Sequence, residues 1–439
     1  MKNLEIPLKA AKKIKYRLIV EAFTVGIVGG LIATAYKYAL AALKNASHGL
    51  YAAARERPAF IPLVFAALIL LALGVAYILK TEPWVKGGGV PQVKAQIESG
   101  YKVNFIKVIV CKFLGGALAT FAGLALGREG PSIQLGAESA DGCAVLLKRG
   151  DNEKRFLLTC GAGAGLAAAF NAPLAGALIA LEELRKDFNP STLLSALAAS
   201  VSATAVANLL GGSVHGAFSL QTQSLPLAAY GFVVIAGIVL GFAGLAYNFL
   251  LLKSIDAQKR LKMPIFFKVL PVFLIAGCVG LFIPLLAYDG HDILAELFSG
   301  AETMRFLNAE GLGAIGLILL IQFVFSILCF SSGTPGGNFF PVMVTGALIG
   351  AFLGAFFSRF LGMDAAFVIN FTLLGMVGAL TAVVRVPITA VVLCLELTNS
   401  FSHMLPFVLA ALLAYLIPDL LNGLPIYDSL LLRLPTQDR

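Results

Sequence analysis

Gly127-Arg128-Glu129-Gly130-Pro131 lies inside a largely apolar run, 104–147, long enough to sit in a membrane. An ionisable side chain at that depth costs roughly 2.5–3.5 kcal/mol on insertion scales. Glu129 therefore needs a reason to be there. Gly130 lets backbone pass close to a neighbour, and Pro131 stands where a helix begins. The spacing predicts a helix over 131–147. Its free N–H groups and positive dipole end favour an anion just ahead of it. Glu129 is itself an anion, tethered at that spot. A carboxylate and a free anion competing for one place outline a gate. The competing reading is a helix cap, or a pair with Arg128.

The rest of the chain supplies the membrane. With 59% hydrophobic residues, 13% charged residues and a mean hydropathy of +0.88, it is too apolar for a soluble domain. Glycine, at 45 residues, is abundant, as in helices that pack closely in lipid. The net charge of +9 is not a nucleic-acid signature, because no basic face with interleaved aromatics accompanies it. Lys2, Lys9, Lys12, Lys13, Lys15 and Arg17 precede the first apolar run and place the segment 1–17 in the cytoplasm. That run, 18–43, is too long for a signal-peptide core and lacks a clear cleavage site. Cys111, Cys143, Cys160, Cys278, Cys329 and Cys394 all fall in apolar stretches without metal-ligand spacing and read as packing residues. His48, His215, His291 and His403 are scattered near segment ends. No metal and no cofactor are expected.

Long apolar runs follow at 59–79, 104–126, 191–210, 226–252, 265–287, 312–330, 340–357, 366–384 and 405–421. The runs 157–170, 174–184 and 388–397 fall short of the ~20 residues of a full crossing, so broken or re-entrant helices are expected. Lys86-Gly87-Gly88-Gly89-Val90-Pro91 is a second glycine loop ahead of a helix, 92–98. Lys107 reads as snorkelling, whereas Lys112 is deep enough in its run to suggest a protein-facing role.

The pattern repeats. Gly127, Pro131, Gly136 and Ala137 recur at one constant offset as Gly337, Pro341, Gly346 and Ala347. Gly161, Leu166, Pro173, Leu181 and Glu182 recur as Gly375, Leu380, Pro387, Leu395 and Glu396, after a short insertion. Two membrane repeats, 18–252 and 265–427, are thus expected around a basic linker, 253–264, with a short tail, 428–439. Glycine- and proline-interrupted segments at matching places in two halves point to an ion site at the midplane. Inverted topology is expected. The second repeat offers Gly336-Gly337-Asn338-Phe339-Phe340-Pro341, which supplies N–H groups without a carboxylate. Three such helix starts surround a dehydrated anion with partial positive charge. Glu182 and Glu396, related by the repeat, read as fixing helix ends rather than carrying protons.

Taken together, Gly87-Gly88-Gly89-Val90-Pro91, Gly127-Arg128-Glu129-Gly130-Pro131, Gly337-Asn338-Phe339-Phe340-Pro341 and Tyr427 in Pro425-Ile426-Tyr427 resemble the CLC family of chloride channels and chloride/proton antiporters. The motifs stand in the family's order, and the resemblance runs from the first helix to the tail. It implies an all-α polytopic membrane protein of two inverted repeats, made of tilted, broken and re-entrant helices. It also implies a homodimer in the cell (inner) membrane, with one anion pathway per subunit. Lipid, chloride and protons would be its partners. By the same resemblance, Glu129 is the gating glutamate. Asn338 and Phe339 offer backbone amides to the anion, and Tyr427 offers its hydroxyl. Glu183 is the internal proton-transfer glutamate, a position that channels typically fill with an apolar residue. Its bland alternative is a pair with Arg185 or Lys186.

Glu129 and Glu183 together favour an antiporter over a passive gated channel. Where the family usually has a serine whose hydroxyl contacts the central anion, this chain has Gly88, which leaves anion preference open. Fluoride-selective members depart from the gating motif and lack the tyrosine, and this chain keeps both. An intramembrane enzyme would show GxSxG, HExxH or paired aspartates in its apolar runs, and none is present. Asn171-Ala172-Pro173 and Arg385-Val386-Pro387 do not make the paired Asn-Pro-Ala loops of a water channel.

Overall fold

Proline, glycine and left-handed residues decide where the helices start and stop. The computed structural model describes residues 2–211, 220, 223–298 and 309–434, without the side chains of 2–15 and 309–310. His215, the side chains of the N-terminal lysines and the tail beyond 434 lie outside the described residues. The first half comprises α1 (Lys2–Glu56), α2 (Ile61–Thr81), α3 (Val90–Ser99), α4 (Phe105–Phe121), α5 (Glu129–Leu146), α6 (Asp151–Phe170), α7 (Pro173–Ile179), α8 (Pro190–Leu209) and α9 (Tyr230–Arg260). The second comprises α10 (Ile265–Phe282), α11 (His291–Phe298), α12 (Ala309–Ser331), α13 (Phe339–Leu361), α14 (Val368–Val384), α15 (Pro387–Thr398), α16 (Met404–Leu420) and α17 (Ile426–Leu431). Nine helical stretches among the described residues are long and apolar enough to cross a membrane.

Three boundaries differ from the sequence reading. α5 begins at Glu129 rather than Pro131, so the buried acid is the first residue of its helix. α9 continues through the basic stretch to Arg260, because Lys, Gln, Ala and Arg are good helix formers. The non-helical part of the linker is thus only 261–264. Tyr427 does not end the fold but sits in α17, whose first residues follow Pro425.

The two halves are built alike. α6 ends on Asn171 (φ 59°) and α14 on Arg385 (φ 71°), both left-handed, and Pro173 and Pro387 then open α7 and α15. α5 crosses α6 where Gly136 and Gly161 meet: a Cβ on either would strike the other's carbonyl. α13 crosses α14 in the same way through Gly346 and Gly375. Glycine at these crossings lets the backbones touch, which is how helices associate where apolar burial gives no drive. In the spans holding α13 and α14, 78% and 89% of the most apolar window is buried, against 28% in the span of α2. The repeated helices thus form the centre, and α2 faces outward.

The halves also hold each other. Glu182 accepts the amides of Ile388 (3.0 Å) and Thr389 (2.7 Å) at the start of α15. Glu396, its repeat mate, accepts those of Leu174 (2.9 Å) and Ala175 (2.8 Å) at the start of α7. Each acid caps the opposite helix, so the pair fixes helix ends as its repeat relation suggested.

Candidate functional site

Three glycine loops meet at one point. Gly127 and Gly337 exchange both main-chain hydrogen bonds, each at 2.7 Å, in an antiparallel bridge. Gly87 donates to the Gly333 carbonyl and accepts from the Gly336 N–H, both at 3.1 Å. A Cβ on Gly130 would stand 2.9 Å from the Gly88 carbonyl oxygen. Backbone packed this tightly excludes side chains. Lys112, fully buried on α4, fixes the first loop by donating to the carbonyls of Val85 (3.1 Å) and Gly87 (2.5 Å). That is the protein-facing role its depth suggested.

The bridge consumes the amides of Gly127 and Gly337, and α5 and α13 start just beyond it. Their first-turn amides have no acceptor inside their own helices. Two positive helix ends therefore open beside the junction, the arrangement that receives an anion.

Glu129 is fully buried there. Its carboxylate folds back over Gly127, where an added Cβ would strike Oε2. Arg128 Nε stands 3.9 Å from Oε1, too far for a hydrogen bond. Neither carboxylate oxygen has a hydrogen-bond partner; its own amide and that of Arg128 are near without closing one. A pair with Arg128 is therefore weak. A buried charge so loosely held is costly.

Across the junction, Tyr427 Oη donates to Asn338 Oδ1 at 3.4 Å, with both residues buried. The Asn338 amide nitrogen has no partner. Phe339, the first residue of α13, occupies the place in its repeat that Glu129 occupies in the first. Gly88 is buried against Gly337, and a Cβ there would meet its nearest atom at 3.6 Å, ordinary contact. One cavity of about 330 Å³ reaches Gly87 and Gly88 past Lys86, Lys259 and Arg433. Another, of about 220 Å³, reaches Arg128 past Lys44, Asp289 and His291. The structure thus brings Gly88, Glu129, Asn338, Phe339 and Tyr427 together.

Glu183 stands apart from them, on a widened turn, Ala180–Arg185, where the Lys186 N–H reaches back to Leu181. Such turns concentrate at functional sites. Glu183 is buried and pairs with neither Arg185 nor Lys186. Its partner is Lys94 of α3, 3.0 Å away and only 1% exposed. Lys94 also pairs with Asp428 of α17, and Asp428 pairs with the half-exposed Lys186 at 2.5 Å. Burial opposes the charge of Asp428, but hydrogen bonds from Lys186 and Lys94 outweigh it and hold the carboxyl below the usual carboxylate range. Sequence reading missed Lys94 and Asp428. The sequence carries no signal for them: Lys94 stands among Gln92, Gln96 and Glu98 in a polar stretch, and its burial shows only in the folded chain.

A family profile described as voltage gated chloride channel matches residues 71–419, most of the chain. The chain belongs to that family. Among curated members, the H(+)/Cl(-) exchange transporter ClcA of Salmonella arizonae is 30% identical over 432 residues, covering 95% of this chain and 88% of that protein. ClcA of Citrobacter koseri is 31% identical with the same coverage. Among solved structures, a slow cyanobacterial Cl-/H+ antiporter superposes with a TM-score of 0.85 at 27% identity, covering 95% of this chain and 97% of that one. A CLC-type fluoride/proton antiporter shares the fold, with a TM-score of 0.76 at 21% identity over 94% of this chain and 97% of its own. The all-helical CLC architecture expected from the motifs is therefore the one observed, and this CLC chain is a multi-pass membrane protein.

Proposed function

We propose that this CLC chain exchanges chloride for protons across the membrane as a secondary transporter. The observation that carries the reading is the Glu129 carboxylate, buried without a hydrogen-bond partner between two helix starts that suit an anion. When ionised, Glu129 occupies the outer anion position. When protonated or displaced by chloride, it leaves. Amides of Asn338 and Phe339 and the hydroxyl of Tyr427 hold the anion farther in. Glu183 takes protons at the other mouth, and Tyr427 lies within electrostatic reach of both carboxylates. ClcA relatives, named as H(+)/Cl(-) exchangers, support this over a passive channel. The missing hydroxyl at Gly88 favours a weaker or reordered central site.

The basic start of the chain supports a cytoplasmic N-terminus in an inner membrane. The repeats 18–252 and 265–427 supply one pathway per subunit of a homodimer.

Chloride and pH recorded together in reconstituted liposomes test the reading. Wild type should pump protons uphill on a chloride gradient. Glu129→Gln should conduct chloride independently of pH and move no protons. Glu183→Gln should pass chloride while uphill proton movement disappears. Unchanged coupled exchange in either variant removes that residue's role, and wild type that moves chloride without protons leaves the channel reading.

A further inference from the structure

The assigned roles do not explain why a lysine is buried against Glu183. Lys94 is as buried as the glutamate; burial raises the proton affinity of Glu183, and a cation 3.0 Å away opposes that rise. A proton acceptor so gripped would release its negative charge only with difficulty. Lys94, however, is shared. Asp428 takes it from the other side, and Lys186 in turn takes Asp428. Charges alternate along the row Glu183, Lys94, Asp428, Lys186, from a buried end to a half-exposed one.

Other charged groups near Glu183 are engaged elsewhere. Glu182 caps α15, and Arg185 lies over the Phe156 ring. On α6, Lys154 pairs with Asp141 and Arg155 donates to the Glu98 carbonyl. The packed helix α8 has no ionisable residue, and from α17 only Asp428 and the neutral Tyr427 approach.

We propose that Asp428 is a positioning residue: by sharing Lys94 it loosens that ammonium's hold on Glu183 and keeps the glutamate able to take a proton. When Glu183 is protonated, Lys94 keeps Asp428 as its counter-ion, so no uncompensated charge is left buried. When the proton leaves, Lys94 is drawn back to Glu183. The location gives this a reach beyond Glu183. Lys94 lies on α3, which opens two residues after Gly88, and Asp428 follows Tyr427 on α17.

The inference rests on Glu183 being the internal proton acceptor, and four substitutions test it through the internal-pH profile of chloride-driven proton movement in liposomes. Asp428→Asn leaves Lys94 to Glu183 alone and should move the midpoint to lower pH by about one unit, a tenfold change in proton affinity. Lys94→Met removes the cation and should move it the opposite way. Lys186→Met, at a half-exposed position, frees Asp428 to hold Lys94 and should also move it upward. It decides the matter if Asp428→Asn does not yield monodisperse protein. Asp428→Glu should restore the wild-type profile. Shifts of one sign in all variants, or profiles that coincide with wild type, overturn the proposal. Proton pumping that survives Glu183→Gln would instead overturn the underlying role of Glu183. Pumping lost in Glu183→Gln, with the other profiles unmoved, would overturn the sharing of Lys94 alone.

Discussion

Gly88 carries no hydroxyl but has room for one. Its backbone is not left-handed, and the nearest atom to an added Cβ is 3.6 Å away. Gly88→Ser should therefore fold, and its hydroxyl should add a donor to the central anion. A hydrogen bond to a charged partner is worth ~1.5–3 kcal/mol in full, part of which water already supplies. Calorimetry should show chloride bound up to about tenfold tighter, or a changed chloride/nitrate preference. Identical affinity and selectivity would mean that the position does not line the site. Gly89 next door is the control. It has φ 92°, and a Cβ would run into Gln134, so Gly89→Ser should lower the yield of folded protein. Residues of this kind were legible in the sequence because glycine and an intramembrane acid are unusual where they stand. Lys94 was not, because its partners Glu183 and Asp428 lie 89 and 334 residues away and only the fold brings them to it.

Helix starts were legible for the same reason: Pro173 and Pro387 each open a helix where the sequence broke. The widened turn at Ala180–Arg185 was not, since one extra residue in a turn leaves no trace in hydropathy. That turn sends Glu182 and its neighbour in different directions, Glu182 to the start of α15 and Glu183 to Lys94. The second repeat, with a regular α15, has the apolar Leu397 in the corresponding place. Glu182→Gln should weaken the cap on α15 and lower stability by about 1–3 kcal/mol, the range for a charged hydrogen-bonding group lost from a partly buried site. Thermal unfolding in detergent should show the loss, and proton coupling in liposomes should be unchanged. Lost coupling with an unchanged unfolding temperature would move Glu182 into the proton path.

For the whole molecule, the repeats were visible as two constant offsets, but their mode of contact was not. Sequence spacing carries no direction, whereas the antiparallel Gly127–Gly337 bridge does. Only four residues, 261–264, separate α9 from α10. Cutting the chain there, and co-expressing 1–262 with 263–439, should yield two fragments that co-purify and transport chloride. Fragments that never associate would show that the covalent link is needed for assembly. The caps exchanged by Glu182 and Glu396 have a further meaning. Glu182 reaches the helix that follows Pro387, and Glu396 reaches the one that follows Pro173. Contacts in which each partner offers the other the same patch define an isologous interface, the kind found between identical subunits related by a two-fold axis. The centre of this single chain is thus organised as a dimer of its own halves.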